Sequence, residues 1–335
     1  MPVPPLPFPH HTAPAASGHR HVLIPYAAVA GMEQALQLPH LDALLARLVS
    51  ADTLDGEEED LCPPHERMAA HWRGWADLAA AHKASLPWAA LAANQQPDCS
   101  AQGTAAGAWA FLTPCHWAVG TDQVRLDNPT ELQLDETDSR ALLAVLAPWF
   151  AEDGLQLHYA QPDHWLVQGS PLQTLQSASL DRVLLRDVRH WTPTTSATLP
   201  LQRLHSEVQM LLYTHPFNES RAARGLPPVN AFWLHGVGKL PAAKAAVTTA
   251  QPEVWESLRA PALLGHSRLW EQAWSALDAG PMAALLQHVQ AGGSASLALC
   301  GERSARSYST GPRGLGQRIR SLLTPQRFDS VRKAL

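Results

Sequence analysis

The stretch HPFNESRAARGLPPVNAFWLHGVGK, His215 to Lys239, decides how the chain is read. Asn230 to Leu234 reads as a short buried strand, and HGVGK as the turn at its carboxyl end, where open α/β sheets place their ligands. Gly236 and Gly238 let the backbone approach a ligand closely and aim amide groups at an anion. Lys239 and a protonated His235 would neutralise charge. His215, Asn218, Arg221 and Arg224 lie just upstream and supply donors of the kind that bind carboxylate or phosphate. This is not a phosphate-binding P-loop, because the spacing GxxxxGK followed by Ser or Thr is absent. A purely architectural reading stands beside the functional one: a helix, a tight strand exit, solvated arginines and His215 in a core hydrogen bond.

Working outward, LQRLHSEVQMLLYTH before this stretch is an amphipathic helix, and helix and strand patterns alternate from it to SLALCG near residue 300. HVLIPYAAVAG, from His21, reads as a buried strand ending near Gly31, and residues 34–50 carry Leu and Ala at helical spacing. Such alternation predicts an α/β fold, an open and mostly parallel sheet with helices on both faces. Between them, WAFLTPCHWAVG, QVRL, ELQL, LQLHYA and HWLVQG are short apolar or alternating runs, interrupted by a helix from Asp138 to Phe150 that Asp138 or Ser139 would cap. The expected organisation is therefore a core of residues 21–104 and 191–335, with a small α+β unit inserted at 105–190 and TPTTSATLP as connector. Residues 1–20, rich in Pro and His, are expected to form a disordered arm, and His10, His11, His19 and, just beyond it, His21 are expected to be solvated rather than bound to metal.

Composition narrows the function. The 335 residues are 46% hydrophobic and 16% charged, which suits a globular chain with a sizeable core. A net charge of -5 with no basic block gives no footprint for nucleic acid or acidic membranes. Four scattered cysteines and no apolar run of spanning length point to reduced thiols and a cytoplasmic protein. The acidic run DTLDGEEED reads as a solvated loop, and Pro63 to Ala93 as helical, with Trp72, Trp75 and Trp88 buried. Cys115 and His116 are adjacent, yet neighbours on a strand face opposite ways, so they do not form a nucleophile and base. ARSYSTGPRG near residue 310 reads as a surface loop, and the twelve tryptophans as core or partner-surface residues.

The order His215, Pro216, Asn218, Arg221, then Pro228, Asn230, His235, Gly236 and Gly238 resembles a segment of the shorter class of cofactor-independent phosphoglycerate mutases, in the alkaline phosphatase superfamily. The longer stretch LQRLHSEVQMLLYTHPFNESRAARGLPPVNAFWLHGVG, and more loosely TPCHWAVG to CGER, is similar to the RpfE-type regulatory proteins. This resemblance implies a reduced alkaline-phosphatase-like core and a regulatory or ligand-sensing protein without metal catalysis. It further implies a pocket for a small phosphorylated or carboxylated metabolite formed by His215, Asn218, Arg221, Asn230, His235, Gly236, Gly238 and Lys239, with no cofactor. The alternatives are an active metal-dependent mutase holding two divalent ions (Mn, Zn or Mg), and a protein-interaction module. The mutase needs carboxylates that this chain displaces. Pro25, Tyr26 and Ala27 follow the first strand in place of an Asp-Gly pair, Asp52 and Asp55 lie far beyond it, and Asp278, His266 and His288 do not stand at ligand spacing. His235 also replaces a permanently charged Arg.

Overall fold

The structure is a computed structural model that describes residues 1–11, 18–32, 34–96, 99, 107–192, 198–241, 251–312 and 326–335. The fold is α/β, with a mixed sheet flanked by helices. Two compact units divide the chain: residues 1–8 with 83–247, and residues 9–82 with 248–335. The inserted unit is thus longer than the expected 105–190. It takes in the 215–239 stretch, because strand Ala231–Lys239 pairs along its length with Ala108–Cys115 rather than with the parallel strands. No helix among the described residues is long and apolar enough to cross a membrane.

The strands in chain order are β1 (His19–Ile24), β2 (Val49–Leu54), β3 (Ala108–Cys115), β4 (Trp117–Val119), β5 (Val124–Leu126), β6 (Leu155–Gln161), β7 (His164–Gly169), β8 (Ala231–Lys239), β9 (Glu253–Val254), β10 (Ser294–Cys300) and β11 (Ala305–Ser309). The helices used below are α1 (Pro39–Leu45), α2 (Pro64–Trp72), α3 (Trp88–Gln95), α4 (Glu136–Glu152), α5 (Leu199–Tyr213), α6 (Pro216–Ala223), α7 (Ser267–Leu277) and α8 (Ala283–Gln290).

In the unit of residues 9–82 and 248–335 the sheet order is β2-β11-β10-β1-β9, with β10, β1 and β9 parallel and β11 and β2 antiparallel. Alternation along β1 sends Val22 and Ile24 into a core with Leu41 and Leu44 of α1, Trp270 and Trp274 of α7, and Leu285 of α8. His21 turns to the other face and meets Trp72 of α2, ring centroids 5.7 Å apart. Within the run read as a solvated acidic loop, Asp60 is buried instead. It accepts from Arg67 at 3.0 Å and from the His82 ring at 2.9 Å, two donors far enough along the chain to be invisible as partners in sequence.

In the unit of residues 1–8 and 83–247 the sheet is antiparallel, in the order β6-β7-β3-β8. One face packs Leu112, Phe232 and Leu234 against Leu142, Leu146 and Phe150 of α4 and Leu204, Val208 and Leu212 of α5. Helix α3 packs on β3 and β8 from the other side. The helix α4 begins two residues earlier than the expected Asp138. Asp135 is its N-cap, its Oδ1 accepting the Asp138 N–H at 2.8 Å.

The expected disordered arm is corrected where it is described. Pro4, Leu6 and Phe8 are buried, Phe8 lies 5.4 Å from the Trp88 ring, and Asn128 donates to the Pro2 carbonyl at 2.8 Å. His10 meets Glu256 at 3.0 Å and His19 meets Ser296 at 3.0 Å, so these rings are not solvated tail residues. Residues 305–309 of the stretch expected as a surface loop form strand β11 instead, paired with β10, while its residues 313–314 and residues 193–197 of the connector lie outside the described residues.

Candidate functional site

The residues of the opening stretch fall into two groups, and only one faces a cleft. Helix α6 starts where Pro216 can occupy the first turn without a missing donor, and His215 caps it, its Nδ1 accepting the Phe217 N–H at 3.1 Å. Asn218 on this helix is buried. Its Nδ2 donates to the carbonyls of Leu212 at 2.8 Å and Val229 at 2.7 Å, and its Oδ1 accepts the Val229 N–H at 3.0 Å. Arg221, fully buried, donates from Nε to Pro227 O at 3.0 Å, from Nη1 to Asp138 at 3.1 Å and from Nη2 to Leu132 O. Arg224 shares the same Asp138 oxygen at 2.6 Å. Asn230 pairs with both backbone groups of Trp117, at 2.7 and 3.0 Å. These contacts use the donors that the sequence reading assigned to an anion. The motif HPFN…R…PVN is a clasp that holds the 225–230 segment to α5, α6 and the α4 entrance.

The glycines also have a structural cause. HGVGK is not a strand exit: β8 runs through Lys239, and the register moves by one residue where Phe111 pairs with His235 and Trp109 with Gly238. Gly236, at φ +61°, sits in this β-bulge, and a Cβ there would meet the Phe111 ring at 2.9 Å and the Ala89 nitrogen at 3.4 Å. Gly238 likewise faces Pro87, 3.2 Å from where its Cβ would stand. They permit the close approach of α3, not of a ligand. Lys239 ends the strand exposed to solvent.

His235 is the residue of the set that lines a cleft. Its neighbours come from two strands and the amino-terminal segment: Thr113 and Phe111 of β3, His164 at the start of β7 with Asp163 before it, and Pro4 to Pro7. The cleft encloses about 310 Å³, part of it open to solvent. His235 Nε2 lies 3.0 Å from Thr113 Oγ1, while Nδ1 is buried with no hydrogen-bond partner among the described residues. The Phe111 ring stands between the two imidazoles, 5.4 Å from His235 and 5.5 Å from His164. Burial, then the nearby His164 ring, pulls His235 down to about 3, against the opposing pull of Asp181 and Asp163. It is therefore neutral at pH 7. Burial alone would raise the Asp163 carboxyl, yet the His164 hydrogen bond at 2.8 Å and that ring's charge hold it below the usual carboxylate value. On the cleft wall the Asp163 carboxylate is thus paired with the His164 ring.

Sequence reasoning passed over Thr113, Phe111, Asp163, His164 and Pro4 to Pro7. One signal was available. In HWLVQG, Trp165 is buried toward α4, its Nε1 donating to Ser139 at 2.9 Å, so alternation alone puts His164 on the opposite face with Phe111 and Thr113.

Among the described residues, the side chains named for the two divalent ions of the mutase alternative do not come together. The carboxylates proposed as substitutes are each engaged separately: Asp52 accepts from Ser307 at 2.8 Å and Asp55 pairs with Arg306 at 2.7 Å. Asp278 accepts the N–H groups of His40 at 3.2 Å and Leu41 at 2.8 Å at the start of α1. His288 lies 3.2 Å from the Ser294 carbonyl, and His266 precedes α7. Among the described residues no three His, Cys, Asp or Glu side chains converge. The turn after β1 is filled by protein: Tyr26 and Ala27 carbonyls accept from the indoles of Trp270 at 2.9 Å and Trp274 at 3.3 Å, and the Ala27 N–H donates to Cys300 O at 2.7 Å. Cys115 is buried, its thiol pushed well above the ordinary value, and the His116 ring contacts Pro228 O at 2.9 Å, so no thiol and imidazole pair exists there.

No known family profile and no curated protein matches the chain. Among solved structures it is similar to the PH0037 protein of Pyrococcus horikoshii, with 11% identity, 87% of each chain covered and a TM-score of 0.43. It is also similar to a cofactor-independent phosphoglycerate mutase from Thermoplasma acidophilum, with 11% identity, 94% of this chain and 99% of that chain covered, and a TM-score of 0.33.

Proposed function

We propose that the protein is a non-catalytic, ligand-sensing regulator of the RpfE type, phosphoglycerate-mutase-like in its clasp motif, whose ligand occupies the cleft over His235. The observation that carries this reading is the desolvated Nδ1 of His235, which lacks a hydrogen-bond partner at the floor of a cleft. Protein interiors seldom leave such a group unmet unless something else meets it. The surroundings define the ligand. Phe111 offers an apolar face, the neutral imidazole and Thr113 hydroxyl offer hydrogen bonds, and the Asp163 carboxylate favours a donor over an acceptor. The ligand is accordingly a small molecule with N–H or O–H groups around a flat or apolar body, not a phosphorylated metabolite.

Calorimetry of the whole protein against a panel of aminated and hydroxylated heterocycles, with 3-phosphoglycerate included, tests this. Binding that His235→Phe abolishes and Arg221→Met leaves in place is expected. Preferential binding of 3-phosphoglycerate would restore the anion reading. Mutase turnover in added manganese would overturn the non-catalytic one.

A further inference from the structure

On the opposite side of the β8 backbone from the His235 cleft, two cavities of about 370 and 360 Å³, both partly open to solvent, meet at Leu175, Leu201 and Leu234. Together they make one groove along the start of α5. Its middle is leucine, with Leu155, Leu172 and Leu204 completing the wall beside the three shared residues. Its ends are polar. At one end stands Asp153, the residue that closes α4. Its Oδ1 accepts from Arg203, while its Oδ2 is buried without a hydrogen-bond partner among the described residues. At the other end stands His205, its Nδ1 also without a partner and its ring stacked 3.9 Å from Phe232 and 5.0 Å from Trp117.

This arrangement is specific about its occupant. Leucine walls reward only an alkyl body, through dispersion and loss of apolar surface to water. A desolvated carboxylate oxygen calls for a donor, and an ammonium supplies three with the complementary charge. An alkyl carboxylate would set like charge against Asp153. Burial holds His205 at about 3, so the far end carries no cation to attract an anion there.

We infer that the groove between Asp153 and His205 is a second ligand site, selective for an aliphatic primary amine whose ammonium group meets Asp153 Oδ2. It is independent of the His235 cleft.

The test is tryptophan fluorescence and calorimetry of the full chain at pH 7 with octylamine, octanol and octanoate. Octylamine should bind, with octanoate at least tenfold weaker. Asp153→Asn, which keeps the side-chain shape, should weaken octylamine tenfold or more, and Leu201→Trp should block the groove. Leu175→Trp serves the same purpose if the first filling variant does not fold. His235→Phe should leave octylamine binding unchanged. The site is ruled out if folded wild-type protein binds no octylamine, if octanoate binds as well, or if the filling variants bind as wild type does.

Discussion

Asn218 and Val229 exchange two hydrogen bonds: Val229 donates its N–H to Oδ1 at 3.0 Å and accepts from Nδ2 at 2.7 Å. An asparagine side chain here imitates a β-ladder partner, and its second Nδ2 proton reaches Leu212 O, so one amide ties the end of α5 to the approach of β8. Asn218→Ala would leave the Val229 carbonyl and N–H unmet in the interior and take one of the donors from the Leu212 carbonyl. It should destabilise the fold by about 3 kcal/mol in urea denaturation. Ligand binding at His235 should survive wherever the variant is folded.

Arg221 and Arg224 share Asp138 but differ in surroundings. Arg221 has a fully buried side chain, whereas that of Arg224 is 44% exposed. Arg221→Met should therefore cost about 3 kcal/mol or more, since it strips the Pro227 and Leu132 carbonyls and half of a desolvated ion pair. The same change at Arg224 should cost less than about 1 kcal/mol. Equal effects in denaturation would contradict the clasp.

Gly236 and Gly225 both have positive φ, +61° and +72°, but only Gly236 faces a neighbour. Gly225→Ala should pay the left-handed backbone cost alone, about 1–2 kcal/mol. Gly236→Ala adds collision with the Phe111 ring and should lose about 2–4 kcal/mol. It should also disturb ligand binding, because Phe111 walls the cleft.

The pH dependence has a definite sign. His235 and His205 have folded values of about 3, below the 6.5 of an unperturbed histidine. The unfolded chain takes up these protons first. Their contribution is complete above pH 6.5 and is lost as pH falls toward 3, at about 1.4 kcal/mol per pH unit for each ring. Denaturation of wild type and of His205→Phe at pH 7, 6, 5 and 4 should show the shallower slope in the variant.

Much of the architecture could be read from residues 21–24, 201–215 and 231–234, where apolar patterning is strong. Strand direction could not. Ala108–Cys115 and the first seven residues of β8 are continuously buried, the pattern expected of a parallel strand covered on both faces. Here an antiparallel sheet gets the same two-sided cover, from α4 and α5 on one face and α3 on the other. The clasp is hidden in sequence for a related reason. Sequence displays the donors of Asn218, Arg221 and Asn230, but their acceptors are mostly main-chain carbonyls, which every residue carries and no sequence pattern reveals. The cleft itself was harder still, since Pro4 to Pro7 and His235 come together only through tertiary packing.

That last contact sets an order of events during synthesis. Pro4 to Pro7 are made more than two hundred residues ahead of His235, the residue whose cleft they wall. At a translation rate of about 5–20 residues per second, the interval is roughly ten to fifty seconds. Through that time Leu6, which walls the cleft, has no finished surface to rest on. The cleft is thus among the last parts of its unit to be completed, and a chaperone or ligand arriving in that interval would meet the amino-terminal segment before the rest of the site exists.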